Sequence, residues 1–150
     1  MTERRVAFNH VGQCVTDLER SKRFYCELLD FTLDREINPG DELSAKLMGL
    51  TPPLAMTASY LVRDGLVLEL LHFAAPGQTQ PAQPRAMNQP GLTHISLSVE
   101  DLDGVLGRVA DYGGVVLAET NVGGGVFIKD PDGQLVELLP MAYRRRLDGA

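Results

Sequence analysis

Between residues 6 and 15 apolar and polar side chains alternate, the period of a half-buried strand. Past Thr16-Asp17, where Asp17 is suited to cap a helix, the spacing lengthens. Leu18, Phe24, Tyr25, Leu28 and Leu29 form an apolar stripe to about residue 29, backed by Glu19, Arg20, Lys22, Arg23 and Glu27. A strand follows over 31–37 and is broken by Asn38-Pro39-Gly40; 41–50 reads as a short helix or a loop, ended by Pro52-Pro53. Strands at 57–62 and 66–73 flank Arg63-Asp64-Gly65, a hairpin signal. Residues 74–91 carry four prolines and no apolar period, which marks a linker.

The same pattern then returns. A strand over 92–100 leads to Asp101 as helix cap and to a helix carrying Leu102, Val105, Leu106 and Val109, stopped by Gly113-Gly114. Strands at 115–118, 126–129 and 134–139 follow, the last two joined by the turn Asp130-Pro131-Asp132-Gly133. Two tandem β-α-β-β-β modules, 6–73 and 92–140, are therefore predicted within one α+β domain spanning 1–150, with 141–150 as a tail. The first module opens at His10 and closes on Leu66-Val67-Leu68-Glu69-Leu70-Leu71; the second opens at His94 and closes on Leu135-Val136-Glu137-Leu138-Leu139. Each copy is an incomplete layer needing the other. The duplication supplies two histidines and two carboxylates at matched places, a ligand set for a divalent metal.

The copies differ in length. His10 to Glu69 spans 59 residues and His94 to Glu137 spans 43, so the first module holds about 16 more, placed around Asp41 to Pro53 as a candidate lid or wall for a substrate. Residues two apart on a strand share a face, so His10 stands with Gly12 and Cys14, and His94 with Ser96 and Ser98. Small neighbours leave space beside each histidine. Glu69 and Glu137 stand among Val67, Leu71, Leu135 and Leu139, where a lone ionised carboxylate is costly and a metal compensates.

Composition narrows the classes. The 150 residues, 44% hydrophobic and 23% charged, suit a soluble globular domain; a net charge of −6 and pI near 5.0 argue against a nucleic-acid partner. The basic run Arg144-Arg145-Arg146 lies past the last strand and reads as a solvated tail. No leader-like or membrane-spanning run is present, so cytoplasmic residence and no membrane partner are expected. Cys14 and Cys26 read as small core residues, not a disulfide. His72 points to the face opposite Glu69, and Gly123-Gly124-Gly125 reads as a flexible loop, not a phosphate cradle.

The sequence resembles the vicinal oxygen chelate superfamily of lactoylglutathione lyase, methylmalonyl-coenzyme A epimerase, extradiol dioxygenases and bleomycin- and fosfomycin-resistance proteins. The resemblance covers nearly the whole chain. It is carried by His10-Val11 with Asp17, Ser21, Phe24-Tyr25 and Leu28-Leu29-Asp30-Phe31, by Gly91-Leu92-Thr93-His94-Ile95, and by Asp130-Pro131-Asp132-Gly133 leading to Glu137. Asp30 stands where the family usually has Gly. The resemblance implies a cupped mixed sheet with helices outside, and His10, Glu69, His94 and Glu137 as ligands of one divalent ion: Ni, Zn, Mn, Co or Mg, with Fe less favoured. It further implies a homodimer and a small-molecule substrate with vicinal oxygens, with no separate organic cofactor.

Glu at the second ligand position matches the lyase branch: a metal-dependent lyase or isomerase acting through a chelated enolate or enediolate, with Glu137 or Glu69 as base. The epimerase alternative is weakened because no Glu lies between Leu43 and Leu68. In the dioxygenase alternative His10, His94 and Glu137 form a ferrous triad and Glu69 is surplus. A ligand-sequestering resistance protein is weakened by the absence of Trp. Arg35, Arg63 and Arg85 are candidates for an acidic group of the substrate, unranked by the sequence.

Overall fold

The structure, a computed structural model, describes residues 5–81 and 83–148. In chain order it contains β1 (Val11–Cys14), α1 (Leu18–Arg23, continued by a π turn to Leu28), β2 (Thr32–Ile37), α2 (Asp41–Met48), β3 (Met56–Arg63) and β4 (Leu66–Phe73). Then come β5 (His94–Val99), α3 (Leu102–Arg108, tightening to a 3₁₀ turn at Val109–Tyr112), β6 (Val115–Leu117), β7 (Val126–Lys129), β8 (Leu135–Pro140) and α4 (Met141–Asp148). The strands form two four-stranded mixed sheets of identical order, β1-β4-β3-β2 and β5-β8-β7-β6. In each, the first strand runs parallel to the last and the other pairs are antiparallel. This is the predicted α+β class.

Contacts divide the chain into two units: residues up to Leu18 with Asp30–Gln78, and Glu19–Leu29 with the chain from Thr79 onward. The segment 19–29, read from sequence as part of the first module, thus groups with the second sheet.

In the first unit, β3 and β4 meet through a two-residue loop. Asp64 (φ 48°) and Gly65 (φ 78°) take the paired left-handed conformation of a type I′ turn, which sets the register so that Tyr60 lies opposite Glu69. Leu61, Leu68 and Leu70 on one face are fully buried. The strand predicted from residue 6 begins only at Val11. With Val11 opposite Leu68, residues before Asn9 lie beyond Leu66, the first residue of β4. Asp30, where the family usually has Gly, adopts φ 58°, the left-handed region that favours glycine.

The extra 41–53 segment forms helix α2, resolving the helix-or-loop alternative. Gly49 closes it in the left-handed conformation, and the Asp41 carboxylate accepts the amides of Leu54 and Ala55, each at 3.1 Å. Ala45, Leu54, Met56 and Phe73 form a buried cluster with Met48 and Leu71 against it. Met56, Phe73 and Leu71 share the sheet face of Tyr60 and Glu69. α2 therefore stands as a wall one cross-strand pair away from them.

In the second unit Phe24, Tyr25, Val109, Ile128, Val136 and Leu138 are buried together with the wholly buried Ser21. Gly114 permits this packing: a Cβ there would lie 2.7 Å from both a Phe24 ring carbon and the Lys129 carbonyl oxygen. Asp101 caps α3 by accepting the Gly104 amide at 2.9 Å. Asp130 is buried at the turn before β8, where its Oδ2 accepts from the Tyr25 hydroxyl at 2.8 Å and its Oδ1 from the amides of Asp132 and Gln134 at 2.9 and 2.8 Å. Burial raises its pKa, opposed by those three donors.

Two expectations are corrected. Cys14 is exposed and Cys26 only half-buried, so neither is a core residue, and neither is in a disulfide; Cys14 lies on the open face of β1. The expected tail folds as α4 through Asp148, with Arg145 paired to Glu100 at 3.0 Å at an exposed site worth little stability. The Arg146 side chain and residues 149–150 lie outside the described residues. Among the described residues no helix is long and apolar enough to cross a membrane.

Candidate metal centre

Each unit carries one His–Glu pair, built by the same register. In the first, Gly12 on β1, Glu69 on β4 and Tyr60 on β3 lie side by side in one cross-strand row, with His10 at the mouth of β1. His10 Nε2 is 3.0 Å from Glu69 Oε2, and the Tyr60 hydroxyl donates to Glu69 Oε1 at 2.7 Å. The His10 ring stands edge-on to the Tyr60 ring, with centroids 5.8 Å apart. In the second unit Ser96, Glu137 and Phe127 occupy the matching row. His94 Nε2 is 3.6 Å from Glu137 Oε2, which accepts from the Ser96 hydroxyl at 2.6 Å, and the His94 ring stands edge-on to Phe127 at 5.1 Å.

The other ring nitrogen is held alike in both pairs. His10 Nδ1 contacts Asn9 Oδ1, and His94 Nδ1 lies 2.8 Å from Thr93 Oγ1. A carboxamide oxygen only accepts, so Nδ1 of His10 donates to it, and Nε2 is the ring nitrogen turned to a carboxylate oxygen. Two electron-rich atoms at 3.0 Å repel unless a proton or a cation joins them. Adjacent ligands in a six-coordinate shell with bonds of about 2.1 Å are about 3 Å apart, so the His10–Glu69 spacing fits a divalent ion. An Nδ1–H held by a neighbouring oxygen, with Nε2 left bare, is the usual arrangement of a metal-binding histidine.

The two pairs are not equal. The Glu69 side chain is 11% exposed, with both oxygens engaged. The Glu137 side chain is 28% exposed and its Oε1 has no hydrogen-bond partner among the described residues. Burial, and then the hydrogen bond and charge of Glu69, raise the Tyr60 pKa, against the lowering influence of Arg35. Gly12 makes room: a Cβ there would approach Glu69 Oε2 to 3.3 Å.

The four predicted ligands thus come together as two pairs. No group of three or more His, Cys, Asp or Glu able to hold a metal is found among the described residues. His72 is opposite Thr57, on the sheet face away from Glu69, as expected. Tyr60, Asn9 and Phe127 were not singled out from sequence, and Thr93 only as part of the motif around His94, although the Asp64-Gly65 turn implies that residues equidistant from it, such as Tyr60 and Glu69, are paired.

A sequence profile of the Glyoxalase/Bleomycin resistance protein/Dioxygenase superfamily matches residues 7–138. The chain belongs to this superfamily. An uncharacterized protein of Escherichia coli K12, YaeR, is 32% identical over 136 residues, covering 87% of this chain and 92% of that one. A probable lactoylglutathione lyase of Synechocystis is 28% identical over 137 residues, with the same coverage. Among solved structures, a glyoxalase family protein of Bacillus cereus superposes with a TM-score of 0.76 at 19% identity, over 93% of this chain and 96% of that one. The fosfomycin resistance protein FosX of Listeria monocytogenes, complexed with Mn(II) and sulfate, gives 0.61 at 17% identity, over 94% and 97%. These structures share the fold of this superfamily member.

Proposed function

We propose that this chain is a divalent-metal-dependent lyase or isomerase of the glyoxalase kind, acting on a small molecule with neighbouring oxygens. The observation that carries the reading is the repeated pair: in each unit a histidine Nε2 faces a glutamate oxygen, its Nδ1 tied to the preceding side chain. His10, Glu69, His94 and Glu137 would serve one ion, within one chain or across a homodimer. The superfamily match, the likeness to a probable lactoylglutathione lyase and the Mn(II) complex of FosX support a divalent site of this type. Bound there, the ion supplies Lewis acidity that stabilises the negative charge left when a proton leaves the carbon beside a carbonyl.

The residues divide the remaining work. Tyr60 holds Glu69 by one oxygen, so that Glu69 acts as a fixed ligand. Glu137, more exposed and with Oε1 without a partner among the described residues, accepts the α-proton and returns it to the neighbouring carbon. Ser96 steadies its other oxygen.

Metal analysis of the purified protein combined with deuterium exchange tests this. Stoichiometric divalent metal and metal-dependent wash-in of deuterium beside the carbonyl of hydroxy-ketones, thioesters or glutathione hemithioacetals are expected. Iron-dependent oxygen uptake with catechols would replace this reading with the dioxygenase one, and a metal-free protein that only binds aromatic ligands would remove enzyme chemistry altogether.

A further inference from the structure

The row that carries Glu69 continues to the edge of its sheet. Gly12, Glu69, Tyr60 and Arg35 lie opposite one another across β1, β4, β3 and β2. The matching row of the second sheet is Ser96, Glu137, Phe127 and Leu117. Only the first ends in a charge. The Arg35 guanidinium lies over the Tyr60 ring, 4.5 Å from its centroid.

Arg35 is on this face because of a backbone irregularity. β2 pairs Leu33 with Leu61 and Arg35 with Tyr60, leaving Asp34 bulged between them. Leu61 and Tyr60 point to opposite faces of β3, so the bulge sends Leu33 and Arg35 to opposite faces, whereas unbroken alternation would keep them together. The flanking Glu36 points away and accepts from Ser59 at 2.6 Å. Arg35 is exposed, and among the described residues its guanidinium has no carboxylate partner. The other two candidate arginines are engaged. Arg63 meets Asp64 at 3.5 Å and the Asp30 carbonyl at 3.2 Å; Arg85 donates to the carbonyls of Leu92 and Gln89 in the linker.

We propose that Arg35, stacked on Tyr60, is the anchor for a carboxylate of the substrate, two strands away from Glu69. This rests on the proposed metal-centred function and specifies its substrate class: a small molecule with a chelating pair of oxygens at one end and a free carboxylate within about 10 Å, the width of two strand spacings. Tyr60 has two functions in this arrangement. Its hydroxyl fixes Glu69, and its ring lies beneath the guanidinium, from where the planar fork of N–H donors can grip a carboxylate by two parallel bonds.

Two measurements test the inference separately from the metal. First, metal-free protein is titrated with glutarate and with its neutral diamide while the arginine Nε–H NMR signals are followed; the Arg35 signal is the one lost in Arg35→Gln. Glutarate alone should shift it. Second, Zn(II)-loaded protein is titrated by calorimetry with acetohydroxamate and with N-hydroxysuccinamate, the same chelator bearing a carboxylate. The wild type should favour the carboxylated probe about tenfold. Arg35→Gln should lose that preference with unchanged acetohydroxamate affinity, which also shows that the variant is folded. An Arg35 signal indifferent to glutarate, or a preference that survives Arg35→Gln, overturns the anchor. A glutarate response at Arg35 without hydroxamate binding supports the anchor and overturns the metal reading instead.

Discussion

The Tyr60 hydroxyl donates to Glu69 Oε1 at 2.7 Å, leaving Oε2 to face His10. Phe127, its counterpart opposite Glu137, has no hydroxyl, and there Ser96 provides the bond instead. Tyr60→Phe therefore makes the first half resemble the second without its serine. Divalent-metal affinity is expected to fall by about 10- to 100-fold, the usual effect of losing a hydrogen bond behind a ligand, with the fold intact by circular dichroism. Competition against a chromophoric chelator measures it, and unchanged affinity would show Tyr60 to be packing only.

Glu137→Gln is expected to lower turnover by about 10²- to 10⁴-fold, the range for a removed base, while His72→Ala keeps turnover and metal content near wild type because His72 lies on the other sheet face. Steady-state rates with metal content measured on the same samples decide it. Equal losses in the two variants would mean that the wrong histidines were chosen.

Asp130 gives a pH prediction. Its raised folded-state pKa means that the folded protein holds a proton more tightly than the unfolded chain, so stability contributed below the unfolded pKa, near 4, is lost as pH rises through the folded value. Asp130→Asn should flatten that part of the curve of unfolding free energy against pH relative to wild type. Parallel curves from denaturant titrations at several pH values would refute it.

At Gly114 the close approach of Phe24 and the Lys129 carbonyl leaves no room for a methyl group. Gly114→Ala is expected to cost about 1–3 kcal/mol by overpacking. Gly107→Ala, in α3 with open space around the added Cβ, should be neutral or slightly stabilising. Thermal melts of the two variants make the comparison.

Much of this was legible in the chain because duplication doubles each signal. The β-α-β-β-β order, the Asp64-Gly65 and Asp130–Gly133 turns and the His and Glu positions all follow from period and spacing. What stayed hidden depends on through-space register. The Arg35 side chain reaches the Tyr60 face only through a one-residue bulge that alternation cannot reveal. Cys14 reads as a core residue because it sits in an apolar-patterned strand, but β1 presents its even-numbered residues to an open face. The C-terminal run, expected as a solvated tail because it lies past the last strand, is exposed at Arg144 and Arg145 as expected, but it is helical.

The irregularity at Asp34 governs the sign of charge beside Tyr60. Drawing Asp34 into regular pairing would set its carboxylate opposite Tyr60 and return Arg35 to the face of Leu33, exchanging a cationic end of the row for an anionic one, with all four histidine and glutamate positions untouched. The charge at the end of the row is thus set by the register of an edge strand, independently of the histidines and glutamates at its centre.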